Sequence, residues 1–270
     1  MAKNKLKEFT RFDFSHDGKR YPVYVTGNEG PGILIMHELP GMMPETLAFA
    51  RRLRKAGFRV YLPLFFGTPG KPFSGPATAA YSIRLCISKE FYLFKHDKTS
   101  PIVEWLRALC RRIHEDCGGP GVGAIGMCLT GGFAIPLLVE PALLAPVLSQ
   151  PSLPADTFAR GARKLDCHRA LGCSPGDLAV AKERVRKEGL TIQGYKFSED
   201  KLSPNPRFER LREEFGDAFT PMVIDSSPGN RYRIPRSHHA VFTAHYSDEP
   251  GTPTREAYDK LIKFFDDKLN

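Results

Sequence analysis

The heptapeptide GMCLTGG, Gly126 to Gly132, sets a thiol among glycines directly behind the apolar run Val122 to Met127. A nucleophile raised on a sharp strand-to-helix turn needs such neighbours, because strained backbone and close packing leave no room for side chains. Cys128 stands at the apex. The following helix, read from Phe133 to Val139, is expected to aim its unpaired amides and macrodipole at the sulfur and so lower the thiol pKa. Glycines at such a junction also cradle phosphates, but here no Lys-Ser/Thr pair follows and GxGxxG spacing is absent.

A second chemical segment is HELPG, His37 to Gly41, directly after the apolar run Gly32 to Met36. A turn there presents backbone amides at the mouth of a sheet, so Leu39 and Leu129 are the candidate oxyanion donors. Glu38 places a carboxylate where it can hold or accept a thiol proton. His37 reads as a turn residue with local hydrogen bonds.

A thiol nucleophile needs a base, and the base needs an orienting acid. Asp200, in FSED, follows a strand ending near Phe197, and His238 and His239 follow the strand Phe219 to Ile224. Nucleophile, acid, histidine is the chain order of α/β-hydrolases. Asp225 is the fallback acid, and Asp177 in SPGD reads as a helix cap. The residues alone do not decide between the two histidines. His16, His96, His114, His168 and His245 read as ordinary surface or core residues. A metal held by His37, Glu38, His238 and His239 lacks HExxH or Cys/His ligand spacing, so no metal and no cofactor is expected.

These residues need a scaffold. Tyr21 to Thr26, Gly32 to Met36 and Arg59 to Phe65 read as strands, with an amphipathic helix from about Glu45 to Ala56 between the last two. Ser100-Pro101 opens a helix that Gly118 and Gly119 stop, and Val122 to Met127 is a strand without polar side chains. Later come a strand from Leu190 to Phe197, a helix opened by Ser203-Pro204 and closed by Gly216, the strand Phe219 to Ile224, and a covering helix from about Pro253. Strands alternating with helices predict an α/β architecture, a mostly parallel central sheet with helices on both faces. The 24 Gly and 23 Pro are spread through the 270 residues, and the expectation is one domain spanning 1–270.

The N-terminus MAKNKLKEF is charged and no long apolar stretch follows, which predicts a cytoplasmic protein without membrane association. Six cysteines without a CxxC pair are expected to be reduced. The net charge of +9 comes from 39 basic residues dispersed among 30 acidic ones, a solvated surface and not a nucleic-acid tract. Such a field draws anionic small molecules if it is focused at a site.

Five segments together resemble the dienelactone hydrolase family: GILIMHELPG, FARRLRKAGFRVYLPLFFG, VGAIGMCLTGGFA, FSEDKLSP with RFERLREEFG, and RSHHAVFT. The resemblance implies an α/β-hydrolase fold and a Cys128, His239, Asp200 triad, with His239 chosen because HAVFT resembles the family's catalytic-histidine segment. It implies further that Glu38 interacts with the resting thiol and that Leu39 and Leu129 donate the oxyanion amides. The family's activity is hydrolysis of an unsaturated lactone carrying a carboxylate, so arginines are expected in the pocket, with Arg84, Arg233 and Arg236 as candidates. One departure is Thr130, which stands where the family elbow has the first of two glycines.

Overall fold

A computed structural model of the chain describes residues 6–73, 91, 97–154 and 161–270. Its strands are β1 (Thr10–His16), β2 (Lys19–Thr26), β3 (Gly32–Met36), β4 (Arg59–Pro63), β5 (Val122–Met127), β6 (Leu143–Ser149), β7 (Ile192–Phe197) and β8 (Phe219–Ile224). The helices are α1 (Pro44–Lys55), α2 (Ile102–Cys117), α3 (Ala134–Leu137), α4 (Ala162–Arg169), α5 (Pro175–Glu188), α6 (Asn205–Phe215) and α7 (Pro253–Leu269).

The strands form one sheet in the order β1-β2-β4-β3-β5-β6-β7-β8. The pairings β1·β2 and β2·β4 are antiparallel, and the others are parallel. Every residue of β3 and β5 is buried, which explains their lack of polar alternation: helices cover both faces. On one face α1 and α7 bury Leu47, Leu53, Leu261 and Phe265; on the other, α2, α5 and α6 bury Trp105, Leu109, Val185 and Leu211.

Two strands escape the sequence reading. β1 is an exposed edge strand whose turn carries Asp17 and Gly18, both at positive φ, the Asp-Gly signature of a tight hairpin. β6 contains Pro146 opposite Ala124 although it lies between two partners, and a proline there argues against a central strand.

The chain runs from β3 outward to β4, then crosses back to β5 on the other side of β3. That reversal opens a crevice beyond the carboxyl ends of β3 and β5, where open α/β sheets place their ligands. Among the described residues no helix is long and apolar enough to cross a membrane.

Candidate functional site

Cys128 follows β5 at once and adopts φ +54°, the left-handed region that ordinary side chains avoid. The turn is paid for by its neighbours. A Cβ on Gly126 would lie 2.1 Å from the Thr130 carbonyl oxygen, and one on Gly131 would lie 2.6 Å from Pro151 and 2.7 Å from the Ser149 carbonyl oxygen. The Cys128 carbonyl accepts from the amides of Gly131 and Ser152, both at 2.9 Å, while the residue itself stays partly exposed.

Thr130, the departure from the family pattern, is buried and donates its hydroxyl to the Met36 carbonyl at 2.8 Å while accepting from the Met127 amide at 3.1 Å. It ties the elbow to the end of β3. Thr130→Val keeps the shape but strands those buried backbone groups, and is expected to lower stability by about 1–3 kcal/mol. Denaturant unfolding measures this, with Thr130→Ser retaining most of the stability.

The helix expected from Phe133 to Val139 is a correction. The chain forms a single 3-10 turn, Cys128–Thr130, and then only the one-turn α3. Pro136 lacks the amide that would continue the ladder, and the Leu138 and Glu140 amides bond three residues back. So short a helix has little macrodipole to lend the thiol. The Leu129 amide nevertheless opens the 3-10 turn, where no intrahelical acceptor exists for it.

His239 Nδ1 and Asp200 Oδ2 lie 2.7 Å apart, with both side chains largely buried. The other Asp200 oxygen accepts from the amides of Leu202 (3.0 Å) and Ser203 (3.4 Å). Lys196, wholly buried on β7, donates to the Ser203 carbonyl and to Asn205 Oδ1 and so pins the same loop. Burial lowers the Lys196 pKa to about 8, against the favourable charge of Asp200.

Burial disfavours a charged His239 ring, but Cys128 and Asp200 outweigh it and raise its pKa well above the ordinary value. Its Nε2 is buried and has no partner at full hydrogen-bond geometry, although Cys128 is near enough to act on the ring. The imidazole loop is anchored from below: Phe242 stacks on Phe49 at 5.4 Å and meets Tyr195 at 4.9 Å, and Arg52 donates to the Phe242 carbonyl at 2.6 Å.

Glu38 is buried, and its carboxylate takes hydrogen bonds from Thr243 and, at 3.4 Å, from Gln150 Nε2. Its described hydrogen bonds thus go to these two residues and not to the Cys128 sulfur. Burial pushes its pKa up, against those two bonds and the His239 charge. Gln150, at the end of β6 with φ +34°, accepts from Ser149 and from the Val241 amide at 3.5 Å. Neither Gln150 nor Thr243 carries a sequence signal, since their partners lie 112 and 205 positions away.

Other candidates fall elsewhere. Asp225 is exposed and accepts from the Ser227 amide. Asp177 pairs with Arg107 and Thr99, and its amide is capped by Ser174. Arg236 lines a cleft of about 360 Å³ with Asp200, Lys201, Leu202, Ser237 and His239, and its guanidinium bonds Glu199 at 2.7 Å. Arg233 is exposed, and Arg84 lies outside the described residues. Burial pushes the Cys110 thiol up strongly and the Cys173 thiol up to about 12, so neither is poised as a nucleophile. Among the described residues no three His, Cys, Asp or Glu side chains gather as a metal site.

His37 is more deeply integrated than a local turn residue: it is wholly buried, its Nδ1 bonds the Glu38 carbonyl at 3.0 Å, and its Nε2 accepts from the Phe65 amide at 3.2 Å. Burial depresses its pKa to about 4. The unfolded chain therefore takes up a proton below about pH 6.5 that the folded chain refuses until about 4. The His37 contribution to stability is complete above pH 6.5 and is lost as the pH falls through 4. Unfolding free energies measured from pH 7 to 4 should fall less steeply in His37→Gln, whose amide oxygen can still accept from Phe65.

No family model and no curated protein matches the sequence. Solved structures do match. A dienelactone hydrolase-like promiscuous phosphotriesterase from metagenomic libraries aligns with TM-score 0.60 at 13% identity, over 97% of this chain and 98% of that one. The protein m3DLH aligns with TM-score 0.62 at 14% identity, over 97% and 98% of the two chains. The chain has the α/β-hydrolase fold. A cold-adapted esterase from an Arctic intertidal metagenomic library shares it, with TM-score 0.56 at 14% identity over 96% of this chain and 93% of that one. In this fold the turn after β5 and the loops after β7 and β8 open at one end of the sheet, as the elbow geometry requires.

Proposed function

We propose that the protein is a dienelactone hydrolase-like hydrolase of carboxylic esters or lactones, with Cys128 as nucleophile, His239 as base and Asp200 as its orienting acid. The observation that carries this reading is a thiol in left-handed backbone on a strand-to-helix turn, acting on an imidazole whose far nitrogen is held by a buried carboxylate. The names of the structural neighbours, esterase and dienelactone hydrolase-like, agree with it.

In this mechanism the Cys128 thiolate attacks the acyl carbon, and the developing oxyanion takes hydrogen bonds from the Leu39 and Leu129 amides. The C–O bond then breaks as His239 Nε2 protonates the leaving alkoxide, leaving a thioester. Water gives a proton back to His239 and attacks the thioester, and collapse releases the acid and restores the thiolate. Glu38 works from behind, as a charge beside His239 and a tether of its loop through Thr243. No cofactor enters these steps. Lys201, which lines the cleft with His239, favours substrates that carry an anionic group, while Arg236 there is paired with Glu199.

The test is a panel of short-chain aryl esters and lactones, each with and without a carboxylate, assayed before and after stoichiometric alkylation by iodoacetamide. The expected result is turnover that disappears with one alkylated thiol, mapped to Cys128, and higher kcat/KM for carboxylate-bearing members. Full turnover after Cys128 is alkylated overturns the mechanism.

A further inference from the structure

The loop that carries His239 closes on itself through a second histidine. His245 Nδ1 lies 3.0 Å from the backbone nitrogen of His239 and 3.0 Å from that of Ala240. Both are amide donors, so the ring nitrogen between them offers its lone pair, and any proton the ring carries sits on Nε2. The clasp is reciprocal, because the His245 amide donates to the Ala240 carbonyl at 3.1 Å. The ring also stacks on His238, with centroids 4.2 Å apart and planes within 19°, while Phe197 at the end of β7 sets its edge against both rings.

The geometry points to His245 as a positioning residue that locks the backbone of His239, and hence aims Nε2 at Cys128. This rests on the mechanism proposed above. Two consecutive amides gathered on one acceptor fix the peptide planes on both sides of the His239 Cα, leaving the His239 side chain one direction from which to meet Asp200. The clasp works only while the ring is neutral, since a proton on Nδ1 would set a third donor against two others. The surroundings keep it so. Burial together with the neighbouring His238 and His239 holds the His245 pKa at about 4, opposed only by Asp200. From β7, Phe197 adds no charge.

The experiment follows the pH dependence of Cys128 alkylation by iodoacetamide in the whole protein, alongside far-UV circular dichroism and melting temperature. His245→Leu removes the acceptor, and His245→Asn restores one, because the asparagine Oδ1 occupies the place of Nδ1. The expected result is an apparent alkylation pKa raised by about one unit in His245→Leu, equivalent to roughly tenfold slower labelling on the acid limb of the profile, with the Asn variant close to wild type. An unchanged alkylation profile in a folded Leu variant, or an Asn variant as impaired as Leu, overturns the proposal. A measurement on the unaltered protein decides the matter even where Leu prevents folding: nitrogen-15 NMR should find His245 Nδ1 unprotonated from pH 5 to 8, and a proton on Nδ1 ends the idea. His239→Ala runs in parallel. If it slows labelling while His245→Leu does not, only the role of His245 falls; if neither does, the underlying mechanism falls with it.

Discussion

Under the proposed mechanism Cys128→Ala is expected to reduce ester hydrolysis by on the order of a millionfold, the scale on which triad hydrolases lose rate when the nucleophile is removed. The loss is large because no neighbour can substitute. Cys128 is the cysteine that acts on the His239 ring, and burial pushes the thiols at 110 and 173 toward the protonated form. Alanine also relieves little of the backbone strain, since the turn at φ +54° disfavours any residue with a Cβ. The folded state should therefore persist, and the variant should melt within a few degrees of wild type. Steady-state rates on the best ester of the panel, together with mass spectrometry of iodoacetamide adducts, measure the outcome. Residual turnover within tenfold of wild type would remove the sulfur from the reaction.

Asp200→Asn should follow with a loss of roughly a hundred- to ten-thousandfold in kcat. The side-chain amide has no freedom to choose its orientation. Its oxygen must stay where Oδ1 accepts the amides of Leu202 and Ser203, so its NH₂ group replaces Oδ2 and points a donor at His239 Nδ1. The ring then places its proton on Nε2, the nitrogen that accepts one in the proposed mechanism. Without the carboxylate the raised pKa of His239 also declines, because Asp200 supplies part of the rise. The stabilising effect of that pair is present in full below about pH 6.5 and is lost as pH rises through the elevated folded value. Asp200→Asn should consequently flatten the stability profile on the alkaline side of 6.5. A pH series of kcat/KM and of denaturant midpoints separates the two effects, and an Asn variant with near wild-type kcat would show that Asp200 does not set the tautomer.

Much of the scaffold is legible in local chemistry. The β5 strand occupies the very residues that its apolar run marks, Val122–Met127, and β8 likewise spans Phe219–Ile224. Helix limits shift by a residue, as with α1, which begins at Pro44 where Glu45 was expected. Such segments can be read because burial on both faces or on one stripe leaves a periodic imprint on neighbouring residues. α3 resists the same reading: apolar residues from Phe133 to Val139 suggest a helix, while Pro136 withholds the amide that would extend it. β6 resists in the opposite sense, its proline tolerated inside a paired strand.

What the residues determined alone is the glycine-flanked thiol, the amide-bearing turn after β3, and the order in which thiol, carboxylate and imidazole follow one another along the chain. Only the tertiary structure decided their partners. Asp200 and not Asp225 bonds His239, Glu38 bonds Thr243 and Gln150, and His245 clasps the amides of His239 and Ala240. The reason is physical: a hydrophobic pattern repeats over a few residues and can be read locally, whereas a buried polar group is satisfied by whichever donor the packed strands bring beside it, however far away in the chain.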